Sequence, residues 1–285
     1  MNPGYLSDFP ESRHLEFPAR NLSSMQSLTS KRGALVVAHP GHELRVYGWL
    51  EATRPRVYVM TDGSGRTGRS RLGSTARILN DVNATAGGLF GRFTDQSVYH
   101  ALLVHDVDFF TTIARELADE FIREWIDYAA GDAGEGYNTT HDVCRLVLNA
   151  AVEMASAKRG TQIANYDFPL TGQPAQCSNG QHARAIWLQL DEETMARKLT
   201  AAGNYPELAD EVESAIKENG ESAFRVECLR PVEGDSERFA VEAPYYELYG
   251  RQQVAAGHYK EIISYDAHIR PIAQALRDYV RGVSR

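Results

Sequence analysis

The sequence predicts an α/β fold in which a mostly parallel sheet carries helices on both faces. Apolar stretches of strand length alternate with longer stretches of helical periodicity from about residue 33 to residue 168. Such alternation is typical of parallel strands joined by helical crossovers. The first strand, 34–38, is a continuous apolar run that leads into a polar turn and then a helix, which is the pattern of a buried strand followed by a crossover.

The elements follow in order along the chain. Residues 1–31 are polar and contain three prolines, and this composition predicts an N-terminal extension that either wraps the surface or is partly disordered. Strands are predicted at 34–38, 56–60, 98–104 and 161–168, and helices at 43–53, 74–86, 108–128 and 140–157. The glycine-rich segment 129–138 predicts a loop. Residues 32–170 therefore form a Rossmann-like core in this interpretation.

The pattern changes after Pro169. A loop is predicted at 170–182, polar amphipathic helices at 188–202 and 205–217, short strands at 223–229 and 238–243, and a final helix at 266–280. We interpret 171–285 as a C-terminal α+β part that packs on the core within the same domain.

Composition limits the classes of function. The 285 residues include 43% hydrophobic and 24% charged residues with a net charge of -8, which is typical of a globular protein and not of a nucleic-acid binder. No segment approaches the roughly 20 apolar residues of a membrane helix. The three widely separated cysteines do not indicate a disulfide framework, and they favour a reducing, cytoplasmic location. Assembly into a homo-oligomer is left open.

Two histidines follow the first strand, three positions apart. His39 is expected at the carboxyl end of the strand and His42 at the start of the helix, so both imidazoles can face the crevice above the sheet. Two such rings can bind one ion at about 2.0 to 2.1 Å, and His141, at the start of another helix, is the best candidate for a third ligand. On spacing alone, a pair of unconnected histidines is an equal alternative.

The segment 38–43, Ala-His-Pro-Gly-His-Glu, resembles the Ala-His-Pro-Asp-Asp-Glu motif of the PIG-L/LmbE-like family of N-acetylglucosaminyl deacetylases. The resemblance continues through Met-Thr-Asp-Gly at 60–63 and Tyr-Asn-Thr-Thr-His-Asp at 137–142, and covers about half of the chain. It implies a divalent metal, zinc in most members, held by His39, His42 and His141. An all-imidazole site also suits iron.

Three departures from the family motifs concern the catalytic machinery. Gly41 stands where the family has its general-base Asp, His42 where it has a carboxylate ligand, and Asn138 where it has a histidine that stabilises the oxyanion. Asn138 retains a hydrogen-bond donor for that role. The candidates for a replacement base are Glu43, Asp62 and Asp142. Each has a structural alternative: a supporting residue for Glu43, a turn residue for Asp62, and a partner of the ligand or a helix N-terminal charge for Asp142.

An arginine cluster follows the second strand. Arg66 and Arg69, together with Arg71, offer bidentate donors for an anionic or hydroxyl-rich part of a substrate. A solvated loop is an equal alternative. Tyr245, Tyr246 and Tyr249 are expected either to line a pocket or to pack half-buried.

These observations favour a metal-dependent amide hydrolase that acts on a small N-acyl substrate, an N-acyl amino sugar or a related amide, by means of metal-activated water. Two alternatives remain. One is a metalloenzyme with redox or tailoring chemistry on a small molecule, because imidazole also binds iron and copper. The other is a binding protein without catalytic activity.

Overall fold

A computed structural model describes residues 25, 28–65, 67–232 and 243–283. The strands are β1 Gly33–Val37, β2 Arg56–Thr61, β3 Thr85–Phe93, β4 Tyr128–Asp132, β5 Ala164–Phe168, β6 Ile186–Gln189 and β7 Val226–Pro231. The α-helices are α1 Tyr47–Thr53, α2 Leu72–Asp81, α3 Asp95–Leu103, α4 Val107–Arg123, α5 Thr139–Arg159, α6 Asn179–His182, α7 Glu192–Gly203, α8 Ala209–Asn219, α9 Tyr245–Ala255 and α10 Arg270–Val283. Short 3-10 helices span His42–Val46, Pro206–Leu208 and Glu221–Arg225, and a π-helix spans Tyr265–Ile269.

Within the described part of the chain, the strands form a seven-stranded sheet in the order β3-β2-β1-β4-β5-β7-β6. The first five pair in parallel, and β7 pairs antiparallel with both β5 and β6. The strand order reverses between β1 and β4. In open α/β sheets, the crevice beyond the carboxyl ends of the strands at such a point is where ligands bind.

Both faces of the sheet are covered, as the sequence predicts. Along β1, Ala34 and Val36 pack in one hydrophobic cluster with α4, α5 and α10, whereas Leu35 and Val37 pack in a second cluster with α1 and α2. The α/β class and the mostly parallel sheet are therefore confirmed. A strand buried on both faces needs apolar residues at every position, which explains the uninterrupted apolar run.

Gly131 allows β4 to lie close to β1. A Cβ at this position would meet the carbonyl oxygen of Val36 at 2.3 Å and the side chain of Leu148 at 2.7 Å. Backbone atoms at that distance cannot move aside without displacing the strand. The close approach places Asp132, the last residue of β4, beside the loop that follows β1.

The prediction of a strand at 98–104 is wrong, because this segment lies in α3, and the third strand is β3. Three glycines interrupt β3, at 87, 88 and 91, and they hide its apolar pattern. The helix begins where Thr94 accepts a hydrogen bond from the backbone N–H of Ser97, a capping interaction that specifies a helix start. The helix predicted at 74–86 ends at Asp81, because the last two residues of the predicted range belong to β3.

The prediction of a loop at 129–138 is wrong for its first four residues, which continue the buried strand β4. Alanine and glycine at 129–131 have weak strand propensity, so tertiary packing decides this segment. The predicted helix 108–128 ends earlier, because α4 stops at Arg123; Trp125, two residues later, is 63% exposed with a positive φ of 55°.

The C-terminal part extends the sheet with β6 and β7. The predicted helix 188–202 begins later, at Glu192, and its first residues belong to β6; the predicted strand 223–229 begins as a 3-10 helix. The strand predicted at 238–243 lies almost entirely outside the described residues. No helix in the described ranges is long and apolar enough to cross a membrane.

Candidate metal centre and its cavity

The three predicted histidine ligands lie together above the carboxyl end of the sheet. The ring centroids of His39 and His42 are 5.3 Å apart, those of His39 and His141 5.1 Å, and those of His42 and His141 4.7 Å. His39 follows β1, His42 begins the first 3-10 helix, and His141 lies in the first turn of α5. The parallel pairing of β1 with β4 therefore brings His141 close to His39 and His42, although about one hundred residues separate them in the chain.

Hydrogen bonding orients the His39 ring. Its Nδ1 lies 2.8 Å from the hydroxyl of Thr61 and 2.9 Å from Asp95 Oδ1. The Thr61 hydroxyl donates to the carbonyl of Ala38 at 3.0 Å, so it can only accept from His39. The Nδ1 atom therefore carries the proton, and Nε2 presents its lone pair.

Asp132 orients the His42 ring in the same way. Its Oδ2 accepts from the Ala38 backbone N–H at 2.7 Å and lies 2.9 Å from His42 Nδ1. A carboxylate behind an imidazole fixes the tautomer and raises the basicity of the opposite nitrogen, an arrangement common among metal-binding histidines. Asp132 is 1% exposed, and its Oδ1 has no partner in the structure.

Burial keeps His141 neutral. Desolvation, followed by the neighbouring His42 and His39, lowers the pKa of His141 well below its usual value. A neutral imidazole retains the lone pair that a metal requires. Nearby, burial raises the pKa of Asp95, but the contacts with His39, Thr61 and the Gly65 N–H outweigh it, and the net pKa is below the usual value.

The donor set fits a tri-histidine site in ring placement. Tetrahedral binding at about 2.0 to 2.1 Å from each nitrogen puts the ring centroids roughly 5 Å apart, which matches the spacing observed here. As the side chains stand, no group of three or more His, Cys, Asp or Glu in the described ranges could hold an ion. Metal binding therefore requires the donor atoms of these side chains to move from the positions described here.

The space beside Gly41 is filled by an apolar side chain. Gly41 has φ of 105°, and a Cβ there would meet Leu208 Cδ1 at 2.2 Å and the Tyr205 ring at 3.5 Å. Both residues come from the segment around the second 3-10 helix, in the C-terminal part. The space that a longer side chain at position 41 would occupy is thus filled by Leu208, while the Glu43 carboxylate accepts from the Gly41 backbone N–H.

The three candidate bases have structural partners. Glu43 is fully buried and accepts from the Gly41 N–H and the Thr75 hydroxyl, both at 2.7 Å; burial raises its pKa to about 6. Asp142 is also buried, and its Oδ1 accepts from two backbone N–H groups at 3.1 Å; burial raises its pKa to about 7. Asp62 accepts from the Ser64 N–H in a turn. None of the three lines the cavity described below.

Asn138 lies at the cavity and caps α5. Its Oδ1 accepts from the Thr140 N–H at 2.8 Å, so Asn138 is the N-cap of this helix. The amide Nδ2 is left as the donor end of this side chain. Because the cap fixes the side chain, Asn138 presents a positioned hydrogen-bond donor near His141.

The arginine cluster is only partly placed. Arg66 lies outside the described residues. Arg69 is exposed and does not line the cavity, whereas Arg71 does line it, with its guanidinium 3.9 Å from Glu211. Substrate binding by Arg66 and Arg69 stays a prediction.

A cavity of about 1000 Å³ opens over the three histidines, at the upper end of the usual range of about 300 to 1000 Å³ for ligand pockets. One wall is aliphatic and comes from the C-terminal part. The other wall is rich in tyrosine. The aliphatic wall includes Leu199, Ala202, Leu208, Val212, Ala215 and Ile216, and the other includes Tyr99, Tyr137, Tyr246, Tyr249 and Tyr259.

Sequence reasoning missed Asp132, Asp95 and Leu208. Asp132 stands at the carboxyl end of a strand, as Asp62 does, and this position was the available signal once β4 was recognised. Asp95 begins α3 and was hidden by the wrong assignment of that region. No local pattern marks Leu208, because its role depends on a contact with a residue far away in the chain.

Comparisons with known proteins add a likeness in fold. No family model matches the chain, and no curated protein sequence matches it. Among solved structures, the zinc-inhibited form of teicoplanin deacetylase Orf2 is similar at 12% identity over 72% of this chain and 100% of that chain, with a TM-score of 0.45. The A40926 pseudoaglycone deacetylase Dbv21 is similar at 16% identity over 74% and 99% of the two chains, with a TM-score of 0.44. Likeness at this level does not bear on the site.

Proposed function

We propose that this chain is a metal-dependent hydrolase of a small N-acyl substrate, an N-acyl amino sugar or a related amide. The observation that supports this is the meeting of three imidazoles, with ring centroids 4.7 to 5.3 Å apart, at the floor of a large cavity. In this proposal His39, His42 and His141 hold the ion. Zinc is the expected metal and iron the alternative.

When bound by three imidazoles, zinc lowers the pKa of a bound water toward about 7 and polarises a carbonyl group. The residues of the chain prepare this chemistry. Asp132 and the Thr61 hydroxyl accept from Nδ1 of His42 and His39, which leaves the lone pair on Nε2 of each ring. Burial keeps His141 deprotonated.

Asn138 supplies the donor for the oxygen of the scissile amide. Its Oδ1 is held by the helix cap, so Nδ2 is fixed in direction at the side of His141. A fixed donor stabilises the charge that develops on the oxygen in the transition state. Glu43, through its bonds to Gly41 N–H and Thr75, shapes the loop between the two histidines.

A second candidate function is supported by Leu208. An apolar side chain, Leu208, lies beside Gly41. The two carboxylates nearest the histidines, Asp95 and Asp132, already contact imidazole Nδ1 atoms, so neither is free to take a proton from water. This favours a metal site that binds a small molecule, or that performs redox chemistry, without hydrolysis. The three imidazoles serve either function, and the two differ in whether an acyl group is released.

Metal analysis tests the site. We expect the protein, purified without a histidine tag, to contain about one equivalent of metal, and His39→Ala and His141→Ala to lose it. His100→Ala is the matched control, because His100 is exposed on α3 and does not line the cavity. Unchanged metal content in both site variants would remove the proposal.

Release of the acyl group separates the two candidates. We expect metal-loaded protein to release acetate from at least one N-acetyl amino sugar, and Asn138→Ala to lower kcat more than it raises KM, because the donor acts on the transition state. Full metal occupancy without acyl release would favour the non-hydrolytic function.

An optical spectrum of anaerobically purified protein identifies iron, since zinc has no such spectrum.

A further inference from the structure

Five tyrosine rings form a continuous row along one side of the cavity. From Tyr137 the row passes to Tyr245, Tyr249, Tyr259 and Tyr99, with centroid separations of 5.1, 6.2, 6.5 and 6.2 Å. Tyr137 and Tyr245 are stacked with their planes 5° apart. Four of the five rings line the cavity itself. The row therefore continues the cavity wall and is not an isolated surface patch.

Both ends of the row, Tyr137 and Tyr99, line the same cavity as the three histidines. Tyr137 directly precedes Asn138 and lies four residues before His141. The rings also belong to separate parts of the fold: the loop before α5, helix α9, the segment after it, and helix α3. Five tyrosines from four separate parts of the chain therefore meet in one row, three of them half-buried and two exposed.

The rings are accessible to a ligand. Tyr137 is 50% exposed and Tyr245 52% exposed, and both are among the few large hydrophobic side chains that are exposed in the described ranges. Tyrosine combines an apolar ring face with a polar hydroxyl edge. A pyranose ring has the complementary form, with C–H groups on its faces and hydroxyls around its rim.

Charge argues against nucleobases, which also stack on aromatic rings. Single-stranded nucleic-acid sites combine the rings with a positively charged groove. This chain has a net charge of -8, and of the cations that line the cavity, Arg71 lies near Glu211 and Lys198 is paired with Glu227. The basic side chain on the same helix, Arg251, lies 3.6 Å from Glu247. The cavity lining also includes a group of aliphatic side chains from the C-terminal part. These suit an acyl chain, whereas the tyrosine row suits uncharged, hydroxyl-rich rings.

We propose that the tyrosine row binds further sugar residues of the substrate, so that the substrate is an oligosaccharide or a longer glycan and not a single amino sugar. This inference rests on the proposed function for its choice of N-acyl sugars. One sugar residue lies at the histidines, and the following residues stack along Tyr137 and Tyr245 toward Tyr249.

Calorimetric titration with metal-stripped protein tests the row independently of hydrolysis. The probes are N-acetylglucosamine and its β-1,4-linked trimer and pentamer. We expect affinity to increase at least tenfold from the monomer to the pentamer. Equal affinity for all three, or binding of none of them, overturns the inference. Loss of hydrolysis or of metal binding leaves this measurement unaffected, so failure of the proposed function is distinguishable.

Variants of the tyrosine row test whether its rings cause the increase in affinity from the monomer to the pentamer. Tyr137→Ala and Tyr245→Ala are each expected to weaken pentamer binding by about threefold to tenfold, the size of an aromatic contact, and to leave monomer binding nearly unchanged. Tyr245→Phe is expected to retain most of the affinity, because stacking needs only the ring. Trp125→Ala is the control, since Trp125 is 63% exposed and does not line the cavity. Equal losses in this control and in the row variants contradict the proposal, and matching melting temperatures show that the variants are folded.

Discussion

At the scale of single residues, glycine and aspartate decide where the site lies. Gly131 lets β4 approach β1, and the next residue, Asp132, then reaches both the Ala38 N–H and the His42 ring. These contacts join residues that are 94 and 90 positions apart in the chain. The two histidines are local in sequence, but their orientation is set from the neighbouring strand.

Replacing Gly131 with alanine is expected to destabilise the protein by at least about 3 kcal/mol, because overpacking against a backbone carbonyl forces strands apart. Gly73→Ala is the matched control: no atom lies within 4 Å of the added Cβ, and Gly73 is inside helix α2. We expect this control to stabilise the protein slightly. Urea denaturation of both variants measures the difference, and a similar midpoint for the two would contradict the explanation.

Asp132→Asn is expected to weaken metal binding by about 10- to 100-fold, the usual effect of removing the carboxylate behind a histidine ligand. The asparagine oxygen still accepts from the Ala38 N–H, so the fold is retained. Asp62→Asn is the control, because the Asp62 carboxylate accepts from a turn N–H instead. Competition with a chromogenic chelator gives both affinities. If the two variants bind metal equally well, Asp132 does not support the site.

At the scale of elements, the C-terminal part is joined to the core through buried charges. Lys198, on α7, donates to Glu227 Oε1 at 2.8 Å, and Glu227, on β7, accepts from the backbone N–H groups of Gly48 and Trp49 at the start of α1. Lys198 and Glu227 are 4% and 2% exposed. The network fixes α7, and with it the aliphatic wall of the cavity, against the helix that follows the histidine loop.

Lys198→Met is expected to cost about 3 to 5 kcal/mol, because it leaves the Glu227 carboxylate buried without its cation. The exposed pair of Arg225 with Glu192 provides the control. Arg225→Ala is expected to cost at most about 1 kcal/mol, since exposed ion pairs contribute little. Chemical denaturation compares the two, and equal losses would show that burial of the pair does not matter.

The π-helix Tyr265–Ile269 contains a pH-sensitive contact. His268 Nδ1 accepts from the Ser264 N–H at 3.0 Å, and its ring stacks on His105 with centroids 5.3 Å apart. Burial and the neighbouring His105 lower the pKa of His268, whereas two acidic groups, Glu261 and Glu247, oppose this shift. Because the folded-state pKa lies below the unfolded value, the unfolded state binds the proton first as pH falls.

The stability contributed by His268 is therefore full above about pH 6.5 and is lost as the pH falls through its lower folded-state pKa. His268→Asn keeps an acceptor for the Ser264 N–H but does not titrate. We expect melting temperatures of this variant to fall less between pH 7 and pH 5 than those of the parent. His258→Asn, at an exposed position, should behave like the parent. Parallel slopes for all three proteins would exclude His268 as the cause.

At the scale of the whole molecule, α10 closes the core at the far end of the chain. Ile272, Leu276 and Val280 on this helix are buried in the same cluster as α4 and α5. The three residues are spaced four apart, which places them on one face of the helix. The C-terminal helix therefore completes the covering of one sheet face.

Leu276→Ala is expected to destabilise the protein by about 2 to 5 kcal/mol through a buried cavity. Leu248→Ala, which truncates a side chain that is 51% exposed on α9, is expected to cost less than about 0.5 kcal/mol. Thermal and urea unfolding measure both variants. A small loss for Leu276→Ala would mean that α10 contributes little to the core.

The sequence by itself determined the α/β class, the first strand with its two histidines, and the amphipathic helices, because burial on both strand faces and on one helix face leaves a local periodic pattern. It also singled out His39, His42 and His141. Only the tertiary structure decided that β4 is a strand, that Asp132 and Asp95 orient the rings, that Leu208 fills the space beside Gly41, and that five tyrosines form one row. These features arise where segments far apart in the chain meet, and such contacts leave no periodic pattern in the local sequence.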